Sequence, residues 1–153
     1  MKTIRSASRA MIIAKNKLLS VTMRNAQGEF FILPGGGQHH GESLKEAVKR
    51  ECKEELGVEI KVGRLIYSRE YIGKNHDFNP KHKDFHQIEH VFECSVLDDA
   101  SIGKGLEKDK RQIGYEWIPL DSLEAYNFLP RFIIQFIKEN KLEFQNPYLG
   151  DVN

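Results

Sequence analysis

Between Ser43 and Gly57 the sequence SLKEAVKRECKEELG marks both ends of one helix, then places acidic side chains on the face that should be buried. Ser43 followed three residues later by Glu46 is a capping box, so the helix starts at Leu44, and Gly57 supplies the stop after Leu56. At about 100° per residue, Leu44, Ala47, Val48, Cys52 and Leu56 fall on one arc, the side that must meet a core. Glu46, Lys49 and Lys53 lie opposite, as a solvated face with ion-pair partners one turn apart. Glu51 and Glu55 sit inside the apolar arc and Glu54 at its edge. Carboxylates one turn apart repel, and taking them partly out of water raises the cost to several kcal/mol unless a cation stands beside them. Oxygen-only donors favour a hard cation, Mg²⁺ with Mn²⁺ as the alternative, over a thiolate-bound zinc. Arg50 can neutralise one of these acids, but it cannot easily balance three.

Around this helix the chain reads mostly as strands. Ala10-Met11-Ile12-Ile13, Leu18 to Val21, Phe30 to Leu33, Val58 to Tyr71, Ile88 to Leu97 and Tyr115 to Ile118 are short β-favouring runs. A second helix is expected near Pro130 to Asn140, where Phe132, Ile133, Phe136 and Ile137 recur at helical spacing. The order β-β-β-α-β-β-β-α predicts an α/β fold with a mixed sheet covered by helices, because strands outnumber crossovers and some must pair as hairpins. With 153 residues, 40% of them hydrophobic, one core and one domain over residues 1–153 are expected. The glycine run Gly35-Gly36-Gly37 reads as a turn whose backbone can approach a ligand closely, so a carbonyl here can reach the ion held by the helix. Irregular structure is expected over 73–85 and 98–112, and a flexible or packed terminus from Gln145 onward.

The 23 basic and 22 acidic residues nearly cancel, which removes any global electrostatic case for a nucleic-acid or membrane-surface partner. Cys52 and Cys94 are the two cysteines, both within regular elements, which suits reduced thiols better than a disulfide framework. No stretch approaches the roughly 20 apolar residues of a bilayer span, so a soluble cytoplasmic protein is expected.

Taken together, Gly36, Glu42, Arg50, Glu51, Cys52, Glu54, Glu55, Gly57 and Val58 resemble the signature box of the Nudix (MutT-like) hydrolases, G-x5-E-x7-R-E-U-x-E-E-x-G-U, where U is a bulky aliphatic residue. The seven invariant-type positions agree at the right spacing. Cys52 departs from the usual Leu, Ile or Val, a change that touches packing more than chemistry. The resemblance implies the Nudix-type α/β/α sandwich with a mixed β-sheet. It also implies that Glu51, Glu54 and Glu55 hold Mg²⁺ with the Gly36 carbonyl, and that Glu42 and Arg50 orient those carboxylates.

The reaction so implied is attack of water on a phosphorus of a nucleoside diphosphate linked to another group, releasing a nucleoside monophosphate and a phosphorylated product. Glu51 or Glu54 is the general base to expect, with Glu89, Glu93, Glu107 and Asp109 as later-loop alternatives, since members of the family differ here. The partner expected is a small nucleotide, bound with the help of Arg24, Phe30, His76 and His82, and relatives of this kind are often homodimers. The sequence lacks the proline that commonly follows the box in ADP-ribose hydrolases and the extra motif of coenzyme A hydrolases, which leaves the substrate open. Two rival expectations stand beside this one: a catalytically silent Nudix-fold module that binds a nucleotide as a sensor, and an α/β domain whose acidic helix mediates assembly.

Overall fold

The computed structural model describes residues 2–76, 80–98, 102–103, 111–141 and 146–153. In chain order the elements are β1 (Arg5–Met11), β2 (Ile13–Ala14), β3 (Lys17–Asn25), β4 (Gly28–Ile32), β5 (Gly35–Gly37), α1 (Leu44–Leu56), β6 (Ile60–Ile72) and the single turn α2 (Gly73–His76). There follow β7 (His86–Val96), β8 (Gln112–Pro119), a 3₁₀ turn over Leu120–Ala125, α3 (Phe132–Lys138) and β9 (Tyr148–Asp151).

The expected mixed sheet is present in the order β5-β1-β7-β6-β9. Its parallel pairs are β1 with β7 and β6 with β9, and its antiparallel pairs are β1 with β5 and β6 with β7. The remaining strands build a second, antiparallel sheet in which β3 pairs with β2, β4 and β8. Hairpin connections such as Asn25 to Gly28 close β3 onto β4, which is why the early strands form this separate layer rather than extend the mixed sheet.

Alternation along the strands divides the core. Ala10 and Phe92 on one face of the mixed sheet pack with Val48, Cys52 and Leu56 of α1. Met11, Tyr67 and Val91 on the other face pack with Ile133, Ile134 and Phe136 of α3. Helices thus cover both faces, the expected α/β/α arrangement. The wheel reading of α1 also holds: Ala47, Val48, Cys52, Glu55 and Leu56 are buried, while Glu46, Lys49 and Lys53 are exposed.

Both helix ends form as read. Ser43 Oγ accepts from the Glu46 backbone N–H at 3.1 Å, and Glu46 Oε2 accepts from the Ser43 N–H at 2.7 Å. Gly57 closes the helix at φ 71°, its N–H bonded to Lys53 O.

Four segments carry detail beyond the reading by pattern. The glycine run is an edge strand, β5, not a free turn: Ser8 pairs with Gly36 across β1. The C-terminal segment, expected to be flexible or packed, is packed: β9 lies parallel to β6, with Arg69 opposite Gly150. Within 73–85 the chain makes the short α2 and a turn over residues 80–84. Of the segment 98–112, Gln112 already belongs to β8, and most of the rest lies outside the described residues. Among the described residues no helix is long and apolar enough to cross a membrane.

Candidate active site

Because α1 packs against β1 and β5, its acidic edge is pressed onto the glycine strand. The Glu51 carboxylate lies so close over Gly36 that a Cβ built on Gly36 would stand 2.6 Å from Glu51 Cδ and Oε1. Glu55, one turn on and buried, accepts the Gly35 backbone N–H at 2.9 Å through Oε1. Its own backbone carbonyl accepts from Gln112 Nε2 at 2.8 Å, tying the helix end to β8.

Arg50 organises the remaining acids. Its Nε and Nη2 donate to the two oxygens of Glu42 at 3.0 and 2.8 Å, a bidentate pair. Nη1 donates to Glu51 Oε1 at 3.0 Å and to Glu54 Oε2 at 3.2 Å, and Nη2 also reaches the Gly37 carbonyl at 2.9 Å. The Arg50 hydrogen bonds, helped by the His39 backbone N–H, hold the Glu42 carboxyl at a pKa of about 2, and Glu42 in turn raises that of Arg50.

Oxygen donors alone make up this set: Glu51, Glu54, Glu55 and the backbone of the glycine strand. Glu51 and Glu54 share one guanidinium nitrogen, so they already stand around a single positive centre, and the missing Cβ of Gly36 leaves the backbone open to whatever Glu51 holds. This chemistry fits a hard divalent cation. Among the described residues no three His, Cys, Asp or Glu side chains converge on an ion as they stand, because Arg50 takes up the place between Glu51 and Glu54. The side chains of Glu51 and Glu54 are 17% and 29% exposed, which leaves both within reach of solvent.

Beyond the glycine strand, on the α3 side of the mixed sheet, lies a cleft of about 430 Å³. Its floor holds a buried triad in which Glu89 accepts from Arg9 Nε at 2.8 Å and from Arg69 Nε at 3.1 Å. Burial pushes the Glu89 carboxyl up, but Arg9 and Arg69 outweigh it and leave the group below the ordinary carboxylate value. Arg9 Nη1 also donates to the carbonyls of Leu33 and Gly35, and Arg69 Nη1 donates to Val152 O beyond β9. Tyr71, His82, Phe85 and Arg111 line the walls.

The residues expected to meet substrate are spread more widely. His82 lines the cleft, whereas His76 stacks on Tyr71 with ring centroids 5.6 Å apart and bonds Asp151 at 2.5 Å. Arg24 lies exposed, paired with Glu29 at 2.7 Å, and Phe30 packs against the α1-side core; neither borders the cleft. Of the alternative bases, Glu89 is locked between two guanidiniums, and Glu93 is paired with Arg64 away from the cleft. Glu107 and Asp109 lie outside the described residues. Reading by motif missed Arg9, Arg69 and Gln87. The available signal was the charged or polar residue in the middle of an otherwise apolar strand, a position that demands a partner.

The family model described as NUDIX domain matches residues 4–137. Among solved structures the fold is similar to a NUDIX hydrolase from Nitrosomonas europaea, at 18% identity over 95% of this chain and 93% of that one, with a TM-score of 0.74. It is similar to a UDP-X diphosphatase at 22% identity over 99% of this chain and 68% of that one, with a TM-score of 0.68. It also resembles an ADP-ribose pyrophosphatase from Streptococcus suis 89-1591 at 20% identity, over 97% of this chain and all of that one (100%), with a TM-score of 0.65.

Proposed function

Since this chain belongs to the NUDIX domain family, we propose that it is a Mg²⁺-dependent pyrophosphohydrolase that cleaves a phosphoanhydride bond in a nucleoside diphosphate linked to another moiety. The products are a nucleoside monophosphate and the phosphorylated second group, and Mn²⁺ can stand in for Mg²⁺. The observation that carries the reading is the Glu51 carboxylate over the bare backbone of Gly36, beside a guanidinium-lined cleft. Two of the structurally similar proteins are named for substrates of this class, a UDP derivative and ADP-ribose.

Glu51, Glu54, Glu55 and the Gly36 carbonyl are the groups assigned to hold the ion. When bound, a divalent ion supplies charge neutralisation on the diphosphate and acidifies a coordinated water. Arg50 keeps Glu51 and Glu54 aimed at one point, and Glu42 fixes Arg50 through its bidentate contact. Glu54 is the more exposed of the two acids that Arg50 holds, and it is the group assigned to accept the proton of the attacking water. Glu55, by fixing the Gly35 N–H, sets the position of the strand that separates the acids from the cleft.

The test is a panel of nucleoside diphosphate derivatives incubated with purified protein and Mg²⁺, the products being separated by chromatography. Release of a nucleoside monophosphate from at least one member is expected. A panel left uncleaved overturns the hydrolase reading in favour of a nucleotide-binding sensor.

A further inference from the structure

The two sites flanking Gly35 carry opposite charge. On the α1 side, Glu42, Glu51, Glu54 and Glu55 outnumber Arg50. On the cleft side, Arg9 and Arg69 share one carboxylate, Glu89, and the three side chains are only 14%, 7% and 3% exposed. Two guanidiniums on one carboxylate give the trio a net positive charge, which Glu55 and Glu51 offset in part by acting on Arg9 from across the glycine strand, and a buried excess charge is stabilised further when a counter-ion meets it.

Both guanidiniums keep donors for such a counter-ion. Arg9 uses Nε and Nη1, and Arg69 uses Nε and Nη1, on Glu89 and backbone carbonyls. Among the described residues no hydrogen bond is made by either Nη2, and neither is a sealed orphan, since the buried side-chain polar atoms lacking partners are Tyr67 Oη and Gln112 Oε1. The free edges therefore open into the cleft. A single residue links them to the acids: the Gly35 N–H is bound to Glu55, and the Gly35 carbonyl to Arg9.

We propose that Arg9 and Arg69, held together by Glu89, form a phosphate-binding pair that grips one phosphate of the substrate's diphosphate across the glycine strand from the acids of α1. Glu89 is a positioning residue, and it prevents the two cations from repelling each other apart before the anion arrives. This inference rests on the proposed hydrolase function and adds to it the residues that recognise this phosphate. A planar guanidinium pair suits the bidentate recognition of phosphate oxygens, and a lysine at either position would supply charge without that geometry.

The experiment is calorimetric titration of inorganic pyrophosphate into the full chain in EDTA, which removes metal from the readout. Binding is expected, weakening as NaCl rises and displaced by a nucleoside diphosphate. Arg9→Lys and Arg69→Lys are each expected to weaken it at least tenfold, whereas Lys53→Ala, exposed and outside the cleft, leaves it unchanged. Equal affinity in either folded lysine variant overturns the proposal, as does pyrophosphate that a nucleoside diphosphate fails to displace. Should a variant not fold, the arginine Nε–H NMR signals of the unaltered protein decide the matter: those of Arg9 and Arg69 must move on adding pyrophosphate, and stationary signals refute the assignment. Loss of hydrolysis across the substrate panel with pyrophosphate binding intact would count against the hydrolase function alone. Hydrolysis with binding indifferent to Arg9 and Arg69 would count against the phosphate pair alone.

Discussion

The Glu51 carboxylate rests directly on the Cα of Gly36, at a distance that leaves no room for a side chain there. Gly36→Ala is therefore expected to displace Glu51 by about 1 Å and lower kcat by on the order of 100-fold, with the fold retained because the clash is with the end of a movable side chain. Gly35→Ala should behave differently. Gly35 has φ 140°, and its added Cβ would lie 2.2 Å from the Ser8 carbonyl, so the β1–β5 pairing itself is disrupted, at a cost of about 3 kcal/mol or more. Steady-state kinetics and urea denaturation of the two variants separate the effects; equal stability losses would contradict this account.

Glu42 gives the site an acid-sensitive anchor. Its folded pKa of about 2 lies below the ordinary value of 4.5, so the group stabilises the native state above about pH 4.5 and ceases to do so as the pH falls toward 2. Glu42→Gln should melt a few degrees below the parent at pH 7, and the gap should close as the melts are repeated at lower pH. A gap of constant size between pH 7 and pH 3 would show that the carboxylate charge is not the source.

If Glu51, Glu54 and Glu55 hold a divalent ion, Mg²⁺ at 100 times its dissociation constant adds about 2.7 kcal/mol to the folded state. For a chain of this size that raises Tm by on the order of 5 °C or more. Thermal melts with and without EDTA should show the rise in the parent and its loss in Glu54→Gln. An undiminished rise in that variant would remove Glu54 from the metal-bearing set.

Two glutamates on the same strand should respond to truncation by very different amounts. Glu89→Ala strands two buried guanidiniums and is expected to cost about 3–5 kcal/mol. Glu93→Ala breaks only the exposed contact with Arg64, so the change should stay within about 0.5 kcal/mol. Denaturant unfolding of both variants makes the comparison, and similar losses would refute the assignment of Glu89 as the charge that holds the triad.

The helix carrying the acids was legible almost atom by atom, because its signals are local: a cap at Ser43 and Glu46, a stop at Gly57 and a period of 3.6 between. The glycine strand was not, since three residues without side chains show no alternation, and what fixes β5 is the backbone of β1. Strand β9 was hidden for a related reason: four residues interrupted by Gly150 carry too short a pattern, and their partner β6 ends at Ile72, far back in the chain. The Arg9–Glu89–Arg69 triad escaped motif reading because its members lie on three strands far apart in sequence, and parallel pairing of β1 with β7 leaves no turn to betray the register. Arg24 and Phe30 were expected on the cleft side, but where they stand depends on how the second sheet faces the first, which no local pattern encodes.

Strand β9 has a consequence for the order in which the molecule is assembled during synthesis. The glycine strand and the acidic helix emerge within the first 57 residues, but Arg69 receives its backbone partner from Val152. A nascent chain can thus form its acidic helix early, yet it cannot complete the cationic floor of the cleft until residue 152 has left the ribosome. The acid-bearing edge and the arginine-lined floor of the cleft thus belong to different stages of assembly, although one residue of the glycine strand touches both.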